Sequence, residues 1–590
     1  MEKFPIMNKN YYKNPIIRGF TPDPSICRSG DTYYLVCSSF QYFPGIPIFE
    51  SKDLINWKLI GHALTRKEQL PLSGADSSGG IYAPTIRCHN GRFYIVTTNV
   101  SGCGNFLIWT DDIYGEWSDV IPIARDGIDP SLYFEGDKTY FMSNHGDPDG
   151  MASIMQCEIN PDTGEILTEA RCIWRGCGGR YLEGPHLYKI EDSYYLLAAE
   201  GGTEYGHMEV IARSKNPYGP FETPAKDSPY ANPILTNRNL GGYPLQGTGH
   251  ADLIQDTDGN WWMVLLAFRQ IGQYITHHHI GRETCLVPVY FTPDGWITAG
   301  ENGTVRLEME PHNSSQKITQ EAPRPLTFKN TLPGREWVWM RNPELENYRF
   351  WSHTIDVSDK TQEISKACKP SKHLSGTLNC TGNVLKHIDS NLTKPCAETF
   401  YLRGTGITLD NPVHSPTFIG IRQQELYGHM QVTLSSSEGE AGITIYMDQT
   451  HHYDLALLHT EKECRLIKRR TIGDMQYIQQ EIQLPRNTKE VFLEISMEPE
   501  VYSFKARLTN SELPEFASAS VQSSNQQIVN TVETGEDSTS SVIDFGTALT
   551  RYLSSETAGG FTGVMLGLYA VNTKDSFAEF SDFIYTPIQN

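Results

Sequence analysis

The sequence predicts an all-β protein, a five-bladed β-propeller followed by a C-terminal β-sandwich. Three observations predict it. A short aromatic-rich strand recurs five times in the first 312 residues, and no convincing amphipathic helix interrupts the repeats. A polar segment with two prolines then separates this half from a second one made of alternating strands.

The five recurrences are residues 30–38 (GDTYYLVCS), 91–97 (GRFYIVT), 137–143 (DKTYFMS), 192–198 (DSYYLLA) and 258–265 (DGNWWMVL). Each is rich in Tyr, Phe, Trp and β-branched residues and opens on Gly or Asp, as hairpin strands do. Three units close alike, with SKDLINWKLIG from Ser51, TDDIYGEWSD from Thr110 and SKNPYGPFE from Ser214. Starts spaced by roughly 45–70 residues suit propeller blades of four strands. The expected organisation is a tail at 1–13, the propeller at 14–312, a linker at 313–325 (NSSQKITQEAPRP) and the sandwich at 326–590. In the last segment REWVWM, HMQVTL, AGITIYM, YDLALL and EVFLEISM alternate as half-buried antiparallel strands should. Residues 358–396 and 518–541 are Ser/Thr/Asn-rich without periodicity and read as long surface loops.

At 590 residues, with 20% charged and 11% aromatic residues, the chain is globular and long enough for two or three domains. Its net charge of −21 disfavours nucleic acid and anionic membrane as partners and is compatible with a neutral ligand such as a sugar. The 12 cysteines lack CxxC spacing, which points to free thiols. No apolar run is long enough to span a membrane, and MEKFPIMNKNYYKN has no signal-type apolar region. A cytoplasmic location is therefore expected, or secretion if a leader has been removed.

Carboxylates supply the chemistry. Asp23 lies between Pro22 and Pro24, which stiffen the chain and bias Asp23 toward extended geometry. Asp129, in DGIDPSLYF, repeats the Asp-Pro-Ser of Asp23. Equivalent positions in propeller units point at one axis, so the two can meet there. Glu183, in YLEGPHLYK, heads the fourth unit. Any one of them reads equally as a turn residue; three leading successive inner strands do not.

Taken in order, TPDPS, GIDPSLYF, EGPHLYK, GTGHADL (247–253) and GRET (281–284) resemble glycoside hydrolase family 43. The similarity is to its branch of β-xylosidases, some also active on α-L-arabinofuranosides, that carry a C-terminal β-sandwich. It extends to SSFQYFPGIPIFESKDLINW in the first unit and to SPTFIGIRQQ and GGFTGVMLGLYA in the second half. The resemblance implies inversion at the sugar carbon, which needs an acid on one face and a base activating water on the other. It assigns Asp23 as general base, Glu183 as general acid and Asp129 as the group that orients the acid and raises its pKa. The residues themselves leave open which aspartate is the base.

The resemblance also implies that Arg282, Phe40, Tyr82, Ala83 and Thr203 line the terminal sugar subsite and that Phe561 reaches over it from the sandwich, giving an exo-acting pocket. Tyr82 stands where well-known bacterial members carry tryptophan, which bears on the balance between xylosides and arabinosides. His250, in GTGHADL, falls where some members contact a hydrated cation, often calcium, while others need no metal; calcium in the central channel is the one cofactor the resemblance allows. The run His277-His278-His279 cannot easily converge on one ion, because neighbours on a strand face opposite ways. His279 is expected to face inward at the pocket rim. Asp256-Thr257-Asp258-Gly259 reads as a hairpin turn rather than a calcium loop.

The expected activity is release of D-xylose from the non-reducing ends of β-1,4-xylo-oligosaccharides with side activity on α-L-arabinofuranosides. Mainly arabinofuranosidase activity is the alternative, and a non-catalytic carbohydrate-binding protein the alternative of another class. A retaining fructan or sucrose hydrolase, which pairs the same two folds, would need WMNDPNG, Arg-Asp-Pro and Glu-Cys motifs that are not here. Homo-oligomers are common in the group, but no interface is legible.

Overall fold

The computed structural model describes residues 10–146, 151–313, 318–351, 399–509 and 540–589. Of the two polar stretches, 358–396 lies outside the described residues. So does 518–541, apart from residues 540 and 541, which open the strand Ser540–Leu549.

Five antiparallel sheets follow one another along the chain, and their first strands meet in a ring. These strands are Ser25–Ser29, Ile81–His89, Ile128–Glu135, Glu183–Ile190 and Leu245–Gln255; each touches the next, and the last touches the first. The arrangement is a five-bladed propeller closed about a central axis. The aromatic segments form the second strand of each blade: Thr32–Val36, Arg92–Asn99, Lys138–Gly146, Ser193–Glu200 and Trp261–Arg269. Four blades have four strands. The fourth blade has three, with two isolated bridges, Arg213 to Glu222 and Glu209 to Leu235, where the last strand would run. Pro217, Pro220, Pro224, Pro229 and Pro233 punctuate that stretch, and each removes a ladder donor. Tyr12–Lys13 pairs with Glu308–Met309, so two residues expected in the tail belong to the propeller and help close it.

A buried carboxylate ties the blades together at the axis. Asp252, in the fifth blade, accepts hydrogen bonds from Ser25 Oγ (2.6 Å) and Ile26 N (3.0 Å) in the first blade. It also accepts from Arg87 Nη1 (2.7 Å) in the second and Tyr188 Oη in the fourth. Burial pushes its carboxyl up, but Arg87 above all holds it far below the usual carboxylate range. His186, whose Nδ1 lies 2.9 Å from Arg87 Nη2, is pushed down to about 3 by burial and stays neutral, able to accept that bond. Arg87→Met would leave Asp252 charged and unpaired, at an expected cost of about 3–5 kcal/mol. A lowered midpoint of denaturant unfolding checks this; an unchanged midpoint would remove Asp252 as the hub.

The second domain packs a sheet containing Tyr427–Ser435, Glu490–Met497, Val501–Thr509 and Ala578–Ile588 against one containing Thr417–Arg422, Gly439–Asp448, His451–His459 and Met565–Val571. Tyr427–Ser435 buries every second residue, the mark of a strand with one face on a core. The domains share a continuous hydrophobic cluster. Trp339–Met340 adds a short strand to Tyr42–Phe43 of the first blade. Glu425 of the sandwich sits between Arg18 (2.9 Å) and Arg269 (2.5 Å) of the propeller. Arg422 Nε donates to the Phe20 carbonyl at 2.8 Å. The sandwich is therefore fixed where it can wall a site on the propeller.

Candidate active site

The inner strands share one irregularity. In the second, third and fourth blades the pairing slips between Tyr82 and Thr85, Ile128 and Ser131, and Glu183 and His186; in the fifth it slips between Gly249 and Asp252. Two residues thus face one, a β-bulge that re-aims side chains toward the axis. The residue after the slip is Ala83, Asp129, Gly184 or His250, and in the first blade Asp23 precedes its strand at the same offset from proline. Asp23, Asp129 and His250 have φ of +54°, +53° and +53°, in the left-handed region. The extended geometry expected for Asp23 is thus not adopted; Asp tolerates the left-handed region better than most residues, and the bulge imposes it. Glu183 stands one register earlier than the aspartates. Gly184 holds their position, and a Cβ there would lie 3.0 Å from the His250 ring.

Asp23 is buried and fully partnered. Arg282 Nη1 donates to its Oδ1 at 2.7 Å, Ser38 Oγ donates to Oδ2 at 2.5 Å, and His250 Nδ1 lies 4.0 Å from Oδ1. Burial raises the carboxyl, but Arg282, His250 and Ser38 together hold it below the ordinary range, so it is ionised. Asp129 behaves oppositely. Burial first, then repulsion from Glu183 and Asp23, push it well above the ordinary range. His207, fully buried, places Nε2 3.6 Å from Glu183 Oε1, while its Nδ1 lies 3.1 Å from the Gly247 carbonyl. A carbonyl only accepts, so Nδ1 carries a proton and Nε2 is the atom turned toward Glu183.

The pocket wall is aromatic. The Phe40 ring centroid lies 5.1 Å from Tyr82 and 6.3 Å from Phe561, stacked on the latter, and Tyr82 meets Phe561 edge-on at 6.1 Å. Arg282 lies over both Phe40 (5.8 Å) and Phe561 (5.7 Å), donates to Thr203 Oγ1 at 2.9 Å and reaches the Phe561 carbonyl at 3.2 Å. Ser78 anchors the far end: its Oγ accepts from Phe561 N at 2.8 Å, and its carbonyl accepts from Tyr82 Oη at 2.7 Å. Phe561 remains 39% exposed, so the sandwich contributes an open face to this wall. Ala83 puts only a methyl at the register that carries carboxylate or imidazole in other blades. Phe561→Ala is expected to raise KM about three- to tenfold with little change in kcat. Steady-state kinetics checks this, and an unchanged KM would remove Phe561 from the wall.

His279 is a correction. Its ring is fully buried and meets Tyr502 of the sandwich at 5.7 Å, so it lies in the domain interface and not at the pocket rim. Its segment is irregular and ends before the strand Arg282–Phe291, and the sandwich covers it. Its carbonyl accepts from Val564 N at 2.9 Å and so helps set the segment that carries Phe561. His278, facing the other way, stacks on Phe268 at 3.8 Å and pairs with Glu556 at 2.8 Å. Around His250 the donor set is one imidazole, whose Nδ1 faces Asp23, and among the described residues no group of three His, Cys, Asp or Glu is placed to hold a metal. A cation there would take most of its ligands from water, so no step is derived through one.

Ser38, Ser78, His207 and Glu209 were not legible in the sequence. Glu209 Oε2 accepts from Ala251 N at 3.1 Å and so braces the bulge that presents His250; nothing but tertiary closeness marks it. A cavity of about 670 Å³ lies apart from the carboxylates, where Arg18, Tyr243, Arg269, Arg306 and Glu425 meet. Its Arg18 and Arg269 are already paired with Glu425, and it adds nothing to the site.

Glycosyl hydrolases family 43 matches residues 12–297, and the beta xylosidase C-terminal concanavalin A-like domain matches 398–535 and 520–586. The chain is 37% identical to the non-reducing end alpha-L-arabinofuranosidase BoGH43B of Bacteroides ovatus, over 97% of this chain and 93% of that one. It is 29% identical to a beta-xylosidase of Bacillus subtilis, over 83% and 88%. A solved structure described as Bacteroides ovatus xyloglucan PUL GH43B superposes with a TM-score of 0.77 at 34% identity, covering 98% of this chain and all of that one. With three carboxylates gathered on the propeller axis under a wall supplied by the sandwich, the chain belongs to glycosyl hydrolase family 43 and is a glycosidase.

Proposed function

We propose that the enzyme removes single pentoses from non-reducing ends with inversion, releasing D-xylose from β-1,4-xylo-oligosaccharides and also cleaving α-L-arabinofuranosides. One observation carries the assignment of roles: of the two aspartates, Asp23 is held ionised by Arg282 and Ser38, while Asp129 is pushed toward its neutral form. A base must be ionised to take a proton from water, which favours Asp23. Glu183 gives its proton to the leaving oxygen from the opposite face; inversion requires an acid and base roughly 6.5–9.5 Å apart to admit the water. Asp129 and Glu183 repel each other, and such carboxyls retain a proton as a pair. The unused donors of the Arg282 fork are suited to sugar hydroxyls. Phe561 and Phe40 close the pocket around one ring, which supports exo-action.

When the last proton of the Asp129–Glu183 pair is lost both carboxyls are charged, and Asp129→Asn removes that like charge. The alkaline limb of the kcat/KM profile is then expected to move to lower pH by about one unit. The sign follows from repulsion: an anion beside the acid holds its proton to higher pH, and an amide does not. An unmoved or raised limb would remove Asp129 from this role. Dialysis against a chelator is expected to leave kcat unchanged; a loss restored by calcium would instead support a hydrated cation beside His250.

A second reading, with arabinofuranosides preferred over xylosides, is favoured by the nearly full-length similarity to the Bacteroides ovatus arabinofuranosidase. Comparing kcat/KM on aryl β-D-xyloside and aryl α-L-arabinofuranoside decides between them. Activity on the second alone would leave the carboxylate roles and change the sugar; activity on neither would overturn the proposal.

A further inference from the structure

We propose that Tyr181 is the platform on which the leaving-group sugar stacks, so that a subsite for a pyranose ring lies on the Glu183 side of the pocket. This inference rests on the exo-glycosidase reading above and adds the residue that receives the departing part of the substrate.

Tyr181 is 60% exposed and has φ +53°, in the left-handed region where a bulky aromatic is an outlier. Strain of this kind persists only where the surroundings impose it, and it concentrates at functional sites. Leu182, the next residue, is buried, and Glu183 follows it. The unusual backbone thus carries the tyrosine out to solvent immediately before the proposed acid enters the inner strand.

The ring is seated on Gly202. A Cβ at that position would lie 2.8 Å from Tyr181 Cδ2 and 3.3 Å from Cε2, and Gly202 itself has φ +78°. Any other residue there would displace the ring. The next residue, Thr203, accepts the hydrogen bond from Arg282. Gly201 N donates to the Arg180 carbonyl at 2.7 Å, tying this loop to the bend that presents Tyr181 just before the strand Glu183–Ile190. The Arg180 guanidinium lies 5.2 Å from the Tyr181 centroid and pairs with Glu204 on the same loop. Tyr181 therefore spans the space between the acid's strand and the loop that holds Arg282.

The chemistry requires something in that place. An acid that protonates the leaving oxygen has the leaving sugar beside it, and a pyranose presents an apolar face of C–H bonds. A tyrosine ring offers a large contact with few rotatable bonds to immobilise. Tyr274, 97% exposed, lies on another loop, two residues before Thr276, which hydrogen-bonds to Tyr205. It is as exposed as a free ring can be but is not next to Glu183, which makes it the natural comparison.

The test uses the full chain with β-1,4-xylobiose, whose leaving group is a sugar ring, and β-D-xylosyl fluoride, whose leaving group has no ring to stack. Tyr181→Ala is expected to lose about tenfold more kcat/KM on xylobiose than on the fluoride, chiefly through KM. Tyr181→Phe keeps the ring and is expected to restore the wild-type ratio. Tyr274→Ala is expected to leave the ratio as it is. Equal losses on both substrates, no loss on either, or a selective loss from Tyr274→Ala instead would overturn the subsite. A wild-type enzyme that cleaves the fluoride but not xylobiose would overturn the subsite while keeping the pentose-releasing reading. Cleavage of neither would overturn that reading and the subsite with it.

Discussion

Glu183→Ala is expected to lower kcat/KM on xylobiose by about 10²–10⁴-fold while sparing aryl glycosides whose leaving group is a weak base. The asymmetry is the informative part. A sugar alkoxide cannot depart unprotonated, whereas an activated phenolate can, so only the first substrate depends on the acid. The side chain is part-exposed and its neighbour His207 Nε2 is 3.6 Å away, so truncation removes a proton donor without leaving a buried charge unpaired. Equal losses on both substrates would contradict the acid assignment and suggest that Glu183 only supports the pocket.

Asp23→Ala is expected to cost about 10³-fold or more on both substrates, because water must be activated whatever the leaving group. The loss should fall on kcat. Arg282 keeps Thr203 Oγ1 and the Phe561 carbonyl as partners, which retains part of the sugar subsite. Removal of Asp23 does leave a buried guanidinium without its carboxylate, so near-native circular dichroism of the variant is part of the measurement. Substantial turnover by a folded Asp23→Ala enzyme would pass the base role to Asp129.

How far the site could be read in advance depends on where its information is stored. The fold was legible because it is written locally: aromatic second strands after Asp or Gly turns, then alternating strands such as Tyr427–Ser435. The three carboxylates and Arg282 were legible as ordered motifs, and the structure brings them onto one axis. A prolyl residue at the same offset, at Pro24, Pro84, Pro130 and Pro185, is the local sequence signal of the shared bulge. Reading Asp23 as extended applied the ordinary bias of a residue before proline where a bulge overrides it. The expectation for His279 failed because the segment is irregular, outside the strand Arg282–Phe291, and sequence says nothing of what covers it; here it is Tyr502 of the sandwich. The Asp252 hub, His207 and Glu209 are set by contacts between blades far apart in sequence, and no local pattern announces them.

The central claim is that Asp23 and Glu183 act from opposite faces of the sugar in a single displacement. It is tested most directly by following β-1,4-xylobiose hydrolysis by proton NMR before mutarotation equilibrates the product. The account predicts that the xylose released from the non-reducing end appears first as the α-anomer. First appearance of β-xylose would mean a double displacement with retention, and would contradict the roles given to both carboxylates.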